Sequence, residues 1–325
     1  MAKYVASNPP PARAAGGMSA HRPWRHARLL RRIALVLVTL LLVAAVTVLG
    51  VVGWIGSERA IHKAQNTYSW SLADYPELRA EAVTIPSRTG VTLAGRFFPG
   101  SSRATLILSH GYGENQDQML PWAAFLHRAG YSLFTYDMRS RGASGGDAIT
   151  LGALEQQDLL SVIDYIAARP DVDPARIGAL GVSLGGATTI LAAAQDRRVK
   201  AVVEDCAFTD ASGVIDTAFE YFLHLPAFPF APIAVKISEL RTGQRMSQVH
   251  PVAVVGQISP RPLFIIHGLA DTVVPPANSE RMYAAAGEPK QVWYVPGAKH
   301  NGSREVAGVE YEQRIVAFFR QALGE

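Results

Sequence analysis

The sequence has 325 residues, of which 49% are hydrophobic, and its 31 Lys/Arg and 27 Asp/Glu give a formal net charge of +4. Residues 1–32 contain seven of the basic residues and no acidic one, which leaves 24 basic and 27 acidic residues in the rest of the chain. The positive excess therefore belongs to the N-terminal tail, and the composition gives no support for nucleic-acid binding by the folded part.

The chain begins with a basic tail and an apolar segment. Residues 1–32 are rich in Pro, Ala, Gly and Arg, a composition typical of a disordered tail. Residues 33–55 are almost wholly apolar and uncharged, and a helix of this length exceeds the roughly 30 Å of a bilayer's hydrocarbon core. Trp24 and Trp54 lie near its two ends, where amphipathic aromatic side chains favour the membrane interface. We therefore predict a transmembrane helix over residues 33–55.

The basic residues around this segment predict its orientation. Five arginines precede it closely, namely Arg22, Arg25, Arg28, Arg31 and Arg32. Only Arg59 and Lys63 follow it closely, so the positive-inside rule predicts a cytoplasmic N-terminus and a single-pass protein with its folded domain on the extracytoplasmic side. A cleaved signal peptide is the alternative. It is disfavoured because the apolar region is unusually long and no clear small-residue cleavage site follows it.

Residues 56–80 are predicted to link this helix to a folded domain that covers residues 81–325. The domain begins with a predicted antiparallel hairpin that turns at Thr89-Gly90. Strands and helices then alternate. The predicted strands cover residues 105–109, 131–136, 176–180 and 201–203, and the predicted helices cover residues 119–128, 151–168 and 185–194. Such alternation predicts a mostly parallel sheet with helices on both faces.

Between residues 207 and 259 the alternation stops, and we predict a small helical insertion. An apolar stripe at helical spacing follows one face, formed by Ile215, Ala218, Phe219, Phe222 and Leu223. Three later prolines, Pro226, Pro229 and Pro232, are expected to interrupt any helix. Two interpretations stay open. The stripe packs on the domain, or aromatic side chains also wall an acyl pocket, in which case the wall is Phe208, Phe219, Phe222 and Phe228.

The segment Gly181-Val182-Ser183-Leu184-Gly185 joins a predicted strand to a predicted helix. A serine on this sharp turn projects its hydroxyl above the sheet, and Gly181 and Gly185 leave the room that strand and helix need. Further strands are predicted over residues 262–266 and 291–295, with a helix over residues 277–286 between them.

Two side chains on later loops complete a possible catalytic triad. A serine nucleophile needs a base, and the base needs a carboxylate that orients it. Asp271 follows the strand 262–266 and His300 follows the strand 291–295, so we predict Ser183 as nucleophile, His300 as base and Asp271 as acid. The backbone amides of Leu184 and Tyr112 are predicted to form the oxyanion hole, since Tyr112 lies in the loop after an early strand.

With these motifs, and with His110-Gly111-Tyr112-Gly113 and His267-Gly268-Leu269-Ala270-Asp271, the chain resembles the α/β-hydrolases. Within them it is similar to the dienelactone-hydrolase-like and prolyl-oligopeptidase-like catalytic domains. The resemblance covers roughly Glu81 to the C-terminus. It implies an α/β-hydrolase fold with a mostly parallel central sheet, helices on both faces and a lid at about residues 207–259. It also implies the same triad and the same oxyanion amides.

Several other residues admit different interpretations. Asp205 also ends a strand and is the alternative acid to Asp271. Cys206 lacks the elbow glycines and is predicted to be a small buried residue. As the only cysteine, it has no partner for a disulfide within the chain. His110 and His267 each precede a glycine at a strand end, and we predict structural roles for both.

Arg139 and Arg141 have two possible roles. They could receive an anionic substrate, but bracing of their loop through Asp137 is favoured. The sequence contains no metal-binding spacing, no Walker loop and no dinucleotide fingerprint that opens a helix, so we expect neither a metal nor a cofactor.

We therefore expect a membrane-anchored serine hydrolase that cleaves carboxylic esters or thioesters through an acyl-enzyme. An aromatic lid near a membrane favours a small-molecule or lipid-like ester as substrate. A serine peptidase or amidase of the prolyl-oligopeptidase-like type is the alternative, disfavoured because the chain before the domain is too short for a size-selecting propeller. A non-catalytic binding protein of the same fold is the alternative of another class, but such proteins usually lack a triad or elbow residue.

Overall fold

The computed structural model describes residues 8–9, 23–62 and 71–324, and within these ranges it describes every side chain except those of residues 23–26. Its centre is a sheet of eight strands. They are β1 (Glu81–Pro86), β2 (Thr92–Phe98), β3 (Thr105–Ser109), β4 (Ser132–Tyr136), β5 (Ile177–Val182), β6 (Val199–Asp205), β7 (Leu263–Gly268) and β8 (Lys290–Val295). Their order in the sheet is β1-β2-β4-β3-β5-β6-β7-β8. Only the β1–β2 and β2–β4 pairs are antiparallel, which confirms the predicted mostly parallel sheet.

Ten helices accompany the sheet within the described residues. They are α1 (Pro23–Ile61), α2 (Leu120–Arg128), α3 (Glu155–Ala168), α4 (Leu184–Gln195), α5 (Ala211–Leu223), α6 (Ala227–Thr242), α7 (Pro251–Val254), α8 (Ala277–Ala285), α9 (Ser303–Ala307) and α10 (Val309–Leu323). One apolar core contains α3, α4 and the lid helices, and a second contains α2 and α10. Because helices cover both faces, every residue of β3, β4 and β5 is buried. The helix α10 was not predicted from the sequence.

The lid differs from its prediction in one respect, because the prolines do not prevent a helix. Pro226 directly precedes α6, and Phe228 has non-helical torsion angles (φ −87°, ψ 134°), so regular helix begins after it. Pro229 then begins the regular helix, where an amide hydrogen has no carbonyl partner within the helix, and Pro232 lies inside the helix one turn later. The chain bends by 118° between α5 and α6.

The apolar helix α1 is longer than the predicted residues 33–55. The described side chains up to residue 48 are all exposed, whereas from Leu49 onwards one face is partly or fully buried. That face consists of Leu49, Val52, Gly53, Gly56, Ser57, Ala60 and Ile61. The chain accordingly divides into two units, residues 1–48 and residues 49–325. The predicted linker 56–80 therefore begins with helix that belongs to the second unit, and residues 63–70 lie outside the described part.

The predicted disordered tail, residues 1–32, lies mostly outside the described residues, and α1 already begins at Pro23. Within the described ranges, one helix is long and apolar enough to cross a membrane, and it is α1.

Candidate active site

Ser183 lies on a tight turn between β5 and α4. Its backbone has a positive φ of 55° with ψ −116°, a conformation that non-glycine residues rarely adopt. A Cβ atom on Gly181 would overlap the carbonyl group of Gly185, and one on Gly185 would overlap the carbonyl oxygen of Ser109. The two glycines are therefore what allows strand and helix to meet at this turn and expose the serine hydroxyl.

His300 lies within hydrogen-bond distance of both other predicted triad residues, Ser183 and Asp271. Ser183 Oγ is 2.9 Å from His300 Nε2, and His300 Nδ1 is 2.7 Å from Asp271 Oδ2. Because the carboxylate accepts the Nδ1 hydrogen, Nε2 is left to accept the hydrogen of the serine hydroxyl. The loops after β5, β7 and β8 supply these side chains, since the carboxyl ends of parallel strands share one edge of the sheet.

The surroundings of Asp271 keep its carboxylate ionised. Its Oδ1 accepts hydrogen bonds from the amides of Val273 and Val274, both at 2.9 Å. Burial by itself would raise the pKa of Asp271, but the imidazoles of His267 and His300 outweigh burial and lower this pKa to about 2. A carboxylate that stays charged at neutral pH can orient the imidazole and stabilise it when it becomes protonated.

Asp205, the alternative acid, is committed to other partners. Its Oδ1 accepts a hydrogen bond from the Ser303 hydroxyl at 2.9 Å, and its Oδ2 accepts one from the Tyr311 hydroxyl at 2.8 Å. Burial raises the pKa of Asp205 to about 6. The structure therefore pairs His300 with Asp271 and leaves Asp205 in a buried network behind the site.

The residues predicted to donate the oxyanion amides lie beside Ser183. Leu184 is the first residue of α4, so its amide belongs to the first turn, where intrahelical acceptors are missing. Tyr112 follows β3, and both residues line the same cavity as Ser183 and His300. The Tyr112 hydroxyl also donates a hydrogen bond to the carbonyl oxygen of Arg59 in α1. Leu184 and Tyr112 therefore line the cavity beside Ser183, and donation of their amides to an oxyanion stays a prediction.

A cavity of about 470 Å³ opens at the Ser183 hydroxyl. Three of the four predicted pocket residues, Phe208, Phe219 and Phe222, line it. Phe228 does not, which corrects the prediction. Its side chain is 80% exposed, because the bend after α5 takes the start of α6 away from the face that covers the cavity.

The last turns of α1 form a wall of the cavity that the sequence did not predict. Gly56, Arg59 and Ala60 line it together with lid residues. A Cβ atom on Gly56 would overlap the ring of Phe219, so the glycine permits the close approach of α1 to α5. Small residues four positions apart in an apolar helix are a signal for close helix packing, and the pairs Gly53/Ser57 and Gly56/Ala60 carry it.

Other predicted side chains have structural roles. His110 Nδ1 donates to the Gly111 carbonyl oxygen at 2.8 Å and its Nε2 accepts the Met138 amide at 2.9 Å, while burial lowers the pKa of His110 to about 4. His267 Nε2 donates to the Val274 carbonyl oxygen at 2.7 Å. Both histidines therefore brace loops, as predicted.

The brace at Arg139 differs from its prediction. Its guanidinium forms a buried ion pair with Asp158, Nε to Oδ2 at 2.7 Å. Asp137, the predicted partner, instead accepts the backbone amides of Gln116 and Ala143. Backbone amides thus occupy the Asp137 carboxylate, which was predicted to pair with Arg139.

One cluster of possible metal donors occurs in the part of the chain that the structure describes. Donor atoms of Cys206, Asp271 and His300 lie within 4.8 Å of one another. The Asp271 and His300 atoms are hydrogen-bonded to each other, and burial raises the pKa of the Cys206 thiol well above its ordinary value. Metal binding here would need to break the triad, so the cluster fits acid–base chemistry better than coordination.

Comparison with known proteins places this geometry in context. Residues 123–325 match the prolyl oligopeptidase family. The uncharacterized protein YfhR of Salmonella typhimurium is 31% identical over 263 residues, which cover 75% of this chain and 82% of that protein.

Two solved structures share the fold. An esterase of Pyrococcus furiosus superposes with a TM-score of 0.69 at 24% identity, over 82% of this chain and 99% of that one. A puromycin-hydrolyzing peptidase of Mycobacterium tuberculosis superposes with a TM-score of 0.61 at 21% identity, over 76% of this chain and 40% of that one. The central sheet and its helices thus form an α/β-hydrolase fold, as the sequence implied.

Proposed function

The chain belongs to the prolyl oligopeptidase family and is a serine hydrolase of the α/β-hydrolase type, and we propose that it cleaves carboxylic esters or thioesters while anchored in a membrane. The observation that carries this proposal is the hydrogen-bonded series Ser183–His300–Asp271 at the floor of an apolar cavity. The series supplies the nucleophile and the base, and the cavity supplies room for an acyl chain.

The proposed mechanism follows from the positions of these atoms. His300 Nε2 removes the proton of the Ser183 hydroxyl as its oxygen attacks the carbonyl carbon of the ester. The amides of Leu184 and Tyr112 stabilise the negative charge on the tetrahedral oxygen. His300 then gives the proton to the leaving alcohol or thiol. Water, activated by the same imidazole, attacks the acyl-enzyme and releases the acid and the free serine.

The preference for esters rests on the cavity lining. Aromatic and aliphatic side chains dominate the wall, as Phe208, Ile215 and Phe219 illustrate. Such a lining favours an acyl chain through burial of apolar surface. A serine peptidase or amidase is the second candidate, supported by the family match and by the fold shared with the mycobacterial peptidase. The non-catalytic alternative loses support because all triad and elbow residues are present and adjoining.

Membrane anchoring is proposed from α1. Its length and composition suit a bilayer-spanning helix or a signal sequence. The arginines before it favour a cytoplasmic N-terminus, which would place the hydrolase domain on the other side. The segment should resist extraction by alkaline carbonate, and protease added to right-side-out vesicles should reach the domain. A protein released by carbonate would contradict the anchor.

Labelling with a fluorophosphonate probe tests the hydrolase mechanism directly. The full chain should be labelled, whereas Ser183→Ala and His300→Ala should not be, with circular dichroism as the control for folding. Hydrolysis of acyl esters of increasing length should then be compared with that of aminoacyl amides. Faster turnover of the amides would replace the ester proposal by the peptidase one. Labelling that persists in Ser183→Ala would overturn both.

A further inference from the structure

Aromatic side chains are exposed where α5 meets α6. Tyr221 is 45% exposed, Phe222 is 55% exposed and Phe228 is 80% exposed. We call these three residues the lid corner. Large apolar side chains that gather at the surface mark a contact with another apolar phase more often than a free surface.

The direction of α6 shows where the lid corner lies. A Cβ atom on Gly53 would meet Ile233, and further along both helices Ser57 Oγ and Ser238 Oγ are 3.0 Å apart. Residue numbers therefore rise together in α1 and α6, and the two helices run in the same sense. Pro229, where the regular helix begins, precedes Ile233 by four residues, or about 6 Å of helix. Phe228 comes before it and so lies toward the Leu49 end of α1.

That end of α1 belongs to the predicted membrane span. The predicted span, residues 33–55, includes Gly53, and residues 49–55 of that span belong to the same unit as α6. If the bilayer surrounds the predicted span as far as residue 55, it also surrounds Phe228, which lies beside this end of the span. Trp54 is 53% exposed and its ring lies 4.3 Å from the Arg241 guanidinium. This Trp–Arg pair has the composition of a membrane interface.

The lid is apolar enough for such a contact. Together α5 and α6 meet the length and composition criteria of a membrane-spanning segment, although the 118° bend makes them a hairpin. A bent apolar pair with its aromatic corner outward suits insertion from one side of a bilayer. Phe222 also lines the cavity, so the exposed aromatic surface is continuous with the wall above Ser183.

We propose that the lid corner inserts into the lipid bilayer that holds α1, so that the cavity receives the acyl chain of a membrane lipid ester directly from the bilayer. The proposal rests on the proposed hydrolase function and on the proposed anchor. The lid corner is therefore expected to contact lipid. A polar substrate taken from water would need no aromatic side chains outside the cavity.

A depth measurement tests the contact itself. The full chain carrying Phe228→Cys is labelled with an environment-sensitive fluorophore and reconstituted in vesicles of phosphatidylcholine and phosphatidylglycerol in equal parts. Val309→Cys is the matched control, because Val309 is 68% exposed on α10, which belongs to the other apolar core. The native Cys206 is buried, so the unsubstituted chain shows any background labelling.

Quenchers attached to the lipid acyl chains should reduce fluorescence at position 228 severalfold more than at position 309. Equal quenching at the two positions would overturn the proposal. Quenching does not depend on catalysis, so it tests insertion of the lid corner into the bilayer even if the hydrolase proposal fails.

A kinetic comparison tests the consequence for substrate. In the same vesicles, Phe228→Ser should lower the hydrolysis of a long-chain ester dissolved in the bilayer about tenfold and leave that of a water-soluble acetyl ester unchanged. Val309→Ser should change neither rate. If Phe228→Ser and the unsubstituted chain hydrolyse both esters at equal rates, the proposal that substrate enters from the bilayer is wrong. Activity that persists in Ser183→Ala would instead remove the hydrolase proposal.

Discussion

The two sides of the cavity above Ser183 are built differently. One side consists of loops after β3, β5, β7 and β8, and it carries the hydrogen bonds of Ser183, His300 and Asp271. The other consists of α5 and the last turns of α1, and its contacts are largely apolar. The sheet holds the first side through backbone ladders, whereas side-chain packing holds the second. The hydrogen-bonded triad and the apolar wall thus lie on parts of the fold that different interactions hold together.

The largest effect should come from the strand side. Replacement Asp271→Asn keeps the size of the side chain but removes the charge that orients His300, so kcat should fall about 10³- to 10⁴-fold. Asp205→Asn is the matched control, because Asp205 ends the neighbouring strand without contacting His300, and its kcat should fall less than about tenfold. Steady-state kinetics on one soluble ester measures both. Similar losses in the two variants would mean that the acid is wrongly assigned.

Substitution of one glycine on each side tests how easily each side accommodates an added methyl group. Gly185→Ala places a methyl group against the Ser109 backbone, which cannot move without disturbing the sheet, so the free energy of unfolding should fall by about 3 kcal/mol or more. Gly56→Ala meets side-chain atoms of Phe219 and Ala234 rather than the backbone of the sheet, and the helix preference of alanine offsets part of the cost. Its unfolding free energy should change by less than about 1 kcal/mol, measured by urea denaturation.

The same Gly56→Ala variant should still alter substrate choice. The methyl group and the displaced Phe219 ring narrow the cavity, so KM should rise severalfold for long acyl chains and stay constant for acetyl esters. A KM that is unchanged for every chain length would show that the α1 side takes no part in substrate choice.

The pH dependence of stability separates the two carboxyl groups at the strand ends. Burial raises the pKa of Asp205 from its ordinary value of 3.8 to about 6, so the folded chain holds this proton more tightly than the unfolded chain. Its contribution to stability is therefore lost as the pH rises from about 4 to about 6. Asp205→Asn should flatten this decline by up to about 3 kcal/mol, since each unit of pKa difference corresponds to about 1.4 kcal/mol. Denaturation curves at several pH values measure it, and parallel declines in both proteins would contradict it.

The pKa of Asp271 is shifted in the opposite direction from that of Asp205. Its pKa of about 2 lies below the ordinary 3.8, so its contribution to stability is present above about pH 4 and lost only as the pH falls toward 2. Asp271→Asn should therefore leave the decline between about pH 4 and pH 6 in place.

The smallest effect concerns the hydrogen bond that joins the two sides. Tyr112→Phe keeps the backbone amide but removes the hydroxyl that donates to the Arg59 carbonyl oxygen. One such bond contributes about 1 kcal/mol, so kcat should fall less than tenfold and stability should fall by about that amount. Loss of kcat as large as that in Asp271→Asn would show that α1 controls the oxyanion loop, and that the two sides are not independent.

Local sequence signals predicted the strand side well. The alternation of strands and helices, the elbow glycines and the chain order of Ser183, Asp271 and His300 all depend on short segments. Once the strands are parallel and adjacent, their carboxyl ends must meet, so residues more than a hundred positions apart could be assigned to one site. The role of Asp137 was misjudged because backbone amides, which no sequence pattern displays, compete for its carboxylate.

The lid was predicted less well, for a physical reason. Helical spacing correctly placed Phe219 and Phe222 on one face, but the position of Phe228 depends on the angle of the bend between α5 and α6. The prolines of α6 by themselves predict an interrupted helix, but their effect depends on where the first turn begins. Neither the angle nor the helix start follows from residue spacing alone.

The sequence by itself determined the chemistry of this protein, because a glycine-flanked serine and two strand-end partners are specified by turn geometry and by the order of the strands. It also determined that one long apolar helix precedes the domain. Only the tertiary structure decided that this helix ends in the wall of the cavity, with Gly56 against Phe219 and Arg59 bound by Tyr112. Such packing joins segments that are distant in the chain, and it depends on shape complementarity, which no local pattern encodes.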